Sequence, residues 1–144
     1  MIQAMTNVQT QCTTHASSLS QAGALAALTG PQNFVIERTQ AFRSRRDLVL
    51  SILAQIPGFR CNVPDGAFYV FPSCDGLLGK ARRNGHALQT DVDVAAFLLE
   101  EAGVSTVPGT MFGMAPFIRI STAAGESLLR TACLRIQDAC KDLR

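Results

Sequence analysis

Pro116-Phe117-Ile118-Arg119-Ile120-Ser121 places a single arginine inside a short apolar run of strand character. A guanidinium is costly to bury without a partner. Its planar fork suits a carboxylate, which it can hold with two parallel hydrogen bonds. Two glycine-containing turns precede the run, Pro108-Gly109 and Phe112-Gly113, and the block Pro64-Asp65-Gly66-Ala67-Phe68-Tyr69-Val70-Phe71-Pro72 lies further upstream. Residues 104–107 and 117–121 read as short strands, and 67–71, aromatic and β-branched between Gly66 and Pro72, is the clearest strand of the chain. Residues 59–63 are a further short candidate. Residues 73–90, with Asp75-Gly76, Gly79-Lys80 and Asn84-Gly85, read as an exposed loop.

Helical periodicity surrounds these strands. A first helix runs from Met1 to about Gln11 on Ile2, Met5 and Val8. A second starts at Ser17-Ser18 and carries Leu19, Ala22, Ala26 and Leu28 to a stop at Gly30-Pro31. Pro31 then opens a long amphipathic helix, 31–56, with Phe34, Ala41, Phe42, Leu48, Val49, Ile52, Leu53 and Ile56 on its apolar face and Pro57-Gly58 at its end. A fourth helix spans 91–102, with Asp91 as N-cap and Gly103 just past its C-terminus. The last, about 126–143, buries Leu128, Leu129, Ala132, Cys133, Ile136, Cys140 and Leu143, and Ala123-Ala124-Gly125 leaves its start poorly capped. This layout predicts an α/β fold of the α+β kind, a two-layer sandwich of helices on a small mixed sheet.

Composition narrows the function classes. Apolar residues make up 47% and charged residues 17% of 144 residues, as a packed core requires. A net charge of +2 gives no electrostatic surface for nucleic acid, and Arg43-Ser44-Arg45-Arg46, followed by Asp47, reads as a solvated helix face. Five widely spaced cysteines without Cys-x-x-Cys suggest neither a disulfide framework nor a zinc site, and His15 and His86 have no ligand-spaced neighbours. With no signal peptide at the start and no bilayer-length apolar run, a reducing cytoplasmic location is expected, without membrane or nucleic-acid partners.

Taken in order, Val8-Gln9-Thr10-Gln11-Cys12-Thr13-Thr14, Ser17-Ser18-Leu19-Ser20-Gln21, Ala26-Ala27-Leu28-Thr29-Gly30-Pro31-Gln32, Arg45-Arg46-Asp47-Leu48-Val49, Gly66-Ala67-Phe68-Tyr69, Val107-Pro108-Gly109, Phe112-Gly113 and Ile118-Arg119-Ile120-Ser121 resemble the C-terminal part of a class I, fold-type I aminotransferase, closest to the bacterial-type aspartate aminotransferases. The resemblance covers nearly the whole chain. It implies that residues 1–30 end a large, pyridoxal-phosphate-binding domain and that 31–144 form the small domain, with 31–56 as the linking helix. It implies that Arg119 clamps the α-carboxylate of an amino acid or 2-oxo acid and that Phe112 lies on the loop beside it. Thr14 and His15 fall on a stretch at the interface of a homodimer, near the partner's active site. His15-Ala16 stands where the family commonly has Asn-Pro, which makes that loop less rigid.

The family's cofactor-bearing lysine and the aspartate at the cofactor's ring nitrogen belong upstream of Met1. The chain's two lysines, Lys80 and Lys141, have no setting like that site. The expectation is therefore a segment of a pyridoxal-phosphate aminotransferase, with aspartate as candidate donor, that holds no covalent cofactor, contributes no catalytic residue of its own and is inactive alone. A stand-alone binding or dimerisation module without catalysis is the alternative. On residues alone, Arg119 could be an edge-strand arginine with its head in water, Phe112 a core anchor, and Tyr69 a polar-tipped residue packed in the sheet rather than a catalytic one.

Overall fold

The computed structural model describes residues 1–144 as five α-helices and three short strands: α1 (Ile2–Cys12), α2 (Ser18–Thr29), α3 (Asn33–Leu53), β1 (Tyr69–Val70), α4 (Asp91–Ala102), β2 (Val107–Pro108), β3 (Ile118–Ser121) and α5 (Glu126–Lys141). The chain divides into two compact units, Met1–Glu37 and Arg38–Arg144, with the division inside α3. In the first unit, α1 and α2 bury no side chain. No helix is long and apolar enough to cross a membrane.

The second unit holds the core. Val49, Ile52 and Leu53 of α3 pack in one cluster with Val70, Ile118 and Ile120 of the sheet, Val94, Phe97 and Leu98 of α4, and Leu129, Cys133, Ile136 and Cys140 of α5. Helices on a small sheet are the α+β architecture expected. The sheet itself is antiparallel throughout rather than mixed: its order is β1-β3-β2, with Tyr69 opposite Ser121 and Val107 opposite Arg119.

Several elements are shorter than their periodicity predicts, each for a local reason. α3 stops at Leu53 because Pro57 disfavours helical backbone before it, and the next turn tightens to i−3 bonds, Gln55 N–H to Ile52 O and Ile56 N–H to Leu53 O. The strand at 67–71 shrinks to Tyr69–Val70, since Ala67 turns left-handed at φ 64°. The strand at 104–107 starts only at Val107, because Val104 N–H closes α4 by bonding Leu98 O. Residues 59–63 give a single bridge, Arg60 to Ser73.

The loop 73–90 is not all exposed. It carries a 3₁₀ turn, Asp75–Leu77, and buries Cys74, Leu77 and Leu88. Gly58 and Gly76 let the two backbones touch there, since a Cβ on Gly76 would stand 2.6 Å from the Gly58 Cα. On α5, Leu129, Cys133, Ile136 and Cys140 keep a threes-and-fours stripe, which leaves Leu128 one position off it and 62% exposed. Phe34, expected on the apolar face of the long helix, is also exposed.

Candidate functional site

Alternation along β3 decides where its arginine goes. Ile118 and Ile120 turn into the core, and Arg119 therefore stands on the opposite face. Because Tyr69 pairs with Ser121, it is the diagonal neighbour of Arg119 across the β1–β3 ladder, within reach of a long side chain. The Arg119 Cζ lies 4.8 Å from the Tyr69 ring centroid and 4.5 Å from that of Phe112. The guanidinium is thus flanked by two aromatic rings, each attracting the cation by about 0.5–1 kcal/mol or more as water is excluded. Phe112 is supported edge-on by Phe71, at 6.2 Å, and Phe71 stacks on Phe117 at 5.3 Å. None of the chain's seven ion pairs involves Arg119. Rings donate no conventional hydrogen bond and accept none of the strength a carboxylate offers, so the N–H fork of Arg119 keeps the capacity to bind one.

Phe112 reaches that position on the 3₁₀ turn Gly109–Phe112, between β2 and β3. Gly109 N–H donates to Phe117 O at 2.6 Å, and Met114 N–H donates to Gly109 O at 3.0 Å. A Cβ at position 109 would collide with the Met114 carbonyl oxygen and stand 2.8 Å from the Phe117 Cβ, so the crossing accepts only glycine. The same turn is tied to α4. Thr110 donates its backbone N–H to Asp91 Oδ2 at 2.8 Å and its hydroxyl to Asp91 Oδ1 at 2.6 Å. Asp91 is 1% exposed.

This corrects the expected N-cap of α4. Thr90 is the cap, and its hydroxyl accepts Asp93 N–H at 3.2 Å while Asp93 Oδ2 accepts Thr90 N–H at 2.9 Å. Asp91 is freed to reach across 19 residues. Thr90 followed three residues later by an acid was the sequence signal for this. The role of Tyr69 carried no such signal, because its contact with Arg119 depends on strand register.

Among the anticipated site residues, the structure brings Arg119 and Phe112 together. Thr14 and His15 belong to the first unit, where they form the exposed turn between α1 and α2. Thr14 is left-handed at φ 60°, His15 N–H donates to Thr13 O at 2.7 Å, and the His15 Nδ1 lies 2.7 Å from Ala16 O. Lys141 pairs with Asp138 on α5 at 2.8 Å. The rings and guanidinium around Arg119 include no lysine and no carboxylate, so these residues do not by themselves make a site for pyridoxal phosphate.

The family model for aminotransferase class I and II matches residues 1–136. The chain belongs to this family. As a class I/II aminotransferase sequence it is 51% identical over 143 residues to the aspartate aminotransferase of Rhizobium meliloti strain 1021, covering 99% of this chain and 35% of that protein. It is 45% identical over 143 residues to the aspartate/prephenate aminotransferase of Cereibacter sphaeroides, covering 99% of this chain and 36% of the relative. The crystal structure of the Rhizobium meliloti aspartate aminotransferase superposes with a TM-score of 0.93 at 50% identity, over 99% of this chain and 36% of that one. The Thermus thermophilus aspartate aminotransferase solved with maleate superposes with a TM-score of 0.79 at 35% identity, over 96% of this chain and 34% of that one. This aminotransferase chain thus spans about a third of the length of the curated relatives it matches.

Proposed function

We propose that the chain is the C-terminal segment of a pyridoxal-phosphate aminotransferase that moves an amino group between an amino acid, aspartate being the first candidate, and a 2-oxo acid. In this reading residues 1–30 end the large domain and 31–144 form the small one. Arg119 binds the α-carboxylate that both substrates share. The observation that carries the reading is the state of Arg119: its cation packs against the Tyr69 and Phe112 rings and has no acid partner within the chain. A clamp held this way fixes the substrate's rotation about its carboxylate. Transamination needs that orientation, because one bond at the substrate's α-carbon must stand perpendicular to the cofactor ring. The maleate named with the Thermus relative is a dicarboxylate, which fits a carboxylate-binding family.

Pyridoxal phosphate supplies the electron sink of such an enzyme when bound. Because this chain has neither a lysine at the Arg119 site nor an acid there, the cofactor's holding residues are assigned to the rest of the longer enzyme. Thr14 and His15 are assigned to the contact with a second subunit of a cytoplasmic homodimer. The chain alone, incubated with pyridoxal phosphate, aspartate and 2-oxoglutarate, is expected to give no turnover by a coupled oxaloacetate assay. Turnover that Arg119→Ala abolishes would overturn this. A non-catalytic binding module is a second reading, favoured by the placement of the whole hydrophobic core within Arg38–Arg144.

A further inference from the structure

We infer that Asp91 is a positioning residue for the carboxylate clamp, acting through Thr110 to hold the Phe112 ring against Arg119. The inference rests on the reading of Arg119 as that clamp and adds a residue remote from the substrate. A carboxylate that is 1% exposed is costly unless hydrogen-bonded, and Asp91 spends both oxygens on one residue. It accepts Thr110 N–H at 2.8 Å on one oxygen and the Thr110 hydroxyl at 2.6 Å on the other. Its own backbone is the first residue of α4, whose N-terminal amides favour a negative charge. The carboxylate is not needed to cap that helix, since Thr90 and Asp93 do so. What it does hold is the 3₁₀ turn Gly109–Phe112, and two residues beyond Thr110 the Phe112 ring stands 4.5 Å from the Arg119 Cζ. Exposed by half, that ring is not fixed by burial; besides its edge contact with Phe71 and the Gly109 crossing, the tie from Thr110 to a core helix holds its turn in place.

The test is nuclear magnetic resonance of the full chain labelled with ¹⁵N-arginine, with acetate as the carboxylate probe. The Arg119 Nε–Hε signal is assigned by its loss in Arg119→Lys. Lying over two rings, its proton should resonate upfield of the exposed arginines. In Phe112→Ala part of that displacement disappears. Asp91→Asn puts an amide N–H donor where Thr110 needs an acceptor. Thr110→Val removes only the hydroxyl, at an exposed position, and serves where the buried variant fails to fold. Thr110→Ser keeps both donors.

Asp91→Asn and Thr110→Val should move the Arg119 proton toward its position in Phe112→Ala and weaken acetate binding about fivefold, the scale of one side chain losing its preorganisation. Thr110→Ser should match the unsubstituted chain in both readings. Folded Asp91→Asn and Thr110→Val that keep the original proton position and affinity would overturn the inference. Acetate that leaves Arg119 unperturbed in the unsubstituted chain would overturn the clamp reading instead, and the proton positions would still decide the role of Asp91.

Discussion

Arginine and lysine carry the same charge, but only one of them is flat. At position 119 the difference matters, because the Arg119 Cζ lies 4.8 Å from the Tyr69 and 4.5 Å from the Phe112 ring centroid, and a compact, strongly hydrated ammonium lacks the planar surface that packs on rings. In the proposed clamp, Arg119→Lys would also lose the two parallel N–H bonds to a carboxylate. The substitution should therefore weaken acetate or aspartate binding by about tenfold or more, the factor equivalent to about 1.4 kcal/mol. Tyr69→Phe, which keeps the ring, should leave binding unchanged, whereas Tyr69→Ala should weaken it. Titrations of the variants followed by chemical shift check the series; equal affinity for Arg119→Lys would show that charge alone suffices. Arg119 was legible in the sequence because a lone cation in an apolar strand needs a reason to be there. Tyr69 was not, because its neighbour sits 50 positions away in the chain and only the Tyr69–Ser121 register brings the two together.

At the scale of elements, α5 shows what periodicity gives and what it leaves out. The stripe Leu129, Cys133, Ile136, Cys140 was readable from spacing, but spacing alone could not say where the stripe's edge fell, so Leu128 was misassigned to it. The beginning and end of α4 show a different limit. Gly103, left-handed at φ 63°, was legible as its terminus, and Thr90 with Asp93 three residues on marked its cap; what spacing could not show was the reach of Asp91 to Thr110, 19 residues away. Burial of the α5 thiols has a measurable consequence. It pushes Cys133 and Cys140 up to about 11, and Cys74, outside α5, is pushed up to about 12 by its own burial and then by the charge of Asp91, from an ordinary value of 9.0. The folded chain therefore keeps protons that the unfolded chain releases above 9.0. This contribution to stability is complete below that pH and is lost as pH rises toward the folded values. Urea midpoints should fall between about pH 8 and about pH 10.5, and the fall should be shallower in a Cys133→Ala, Cys140→Ala double variant. An identical fall in that variant would assign the pH dependence to other groups.

For the whole molecule, the two units differ in what they bury, and that difference predicts behaviour in solution. Every residue of the hydrophobic core lies at or beyond Val49, inside the second unit. The first unit presents Ile2, Met5, Val8, Leu19, Leu25 and Leu28 to solvent, each more than 60% exposed, on helices with no buried side chain. Helices as short as α1 and α2, of 11 and 12 residues, are marginal in water without an apolar face to pack. In relatives nearly three times as long, the remaining sequence is available to cover such faces; in this chain by itself, so many exposed large apolar side chains on two helices favour association between copies. The chain should accordingly show a mass that rises with concentration in sedimentation equilibrium. A version consisting of residues 38–144 should remain monomeric and keep a cooperative unfolding transition, since it retains the core intact. Both halves of the expectation can fail separately. A concentration-independent monomer of the full chain would mean that α1 and α2 need no cover and would favour the stand-alone module. A 38–144 version that unfolds without cooperativity would mean that the first unit contributes stability that its lack of burial does not reveal.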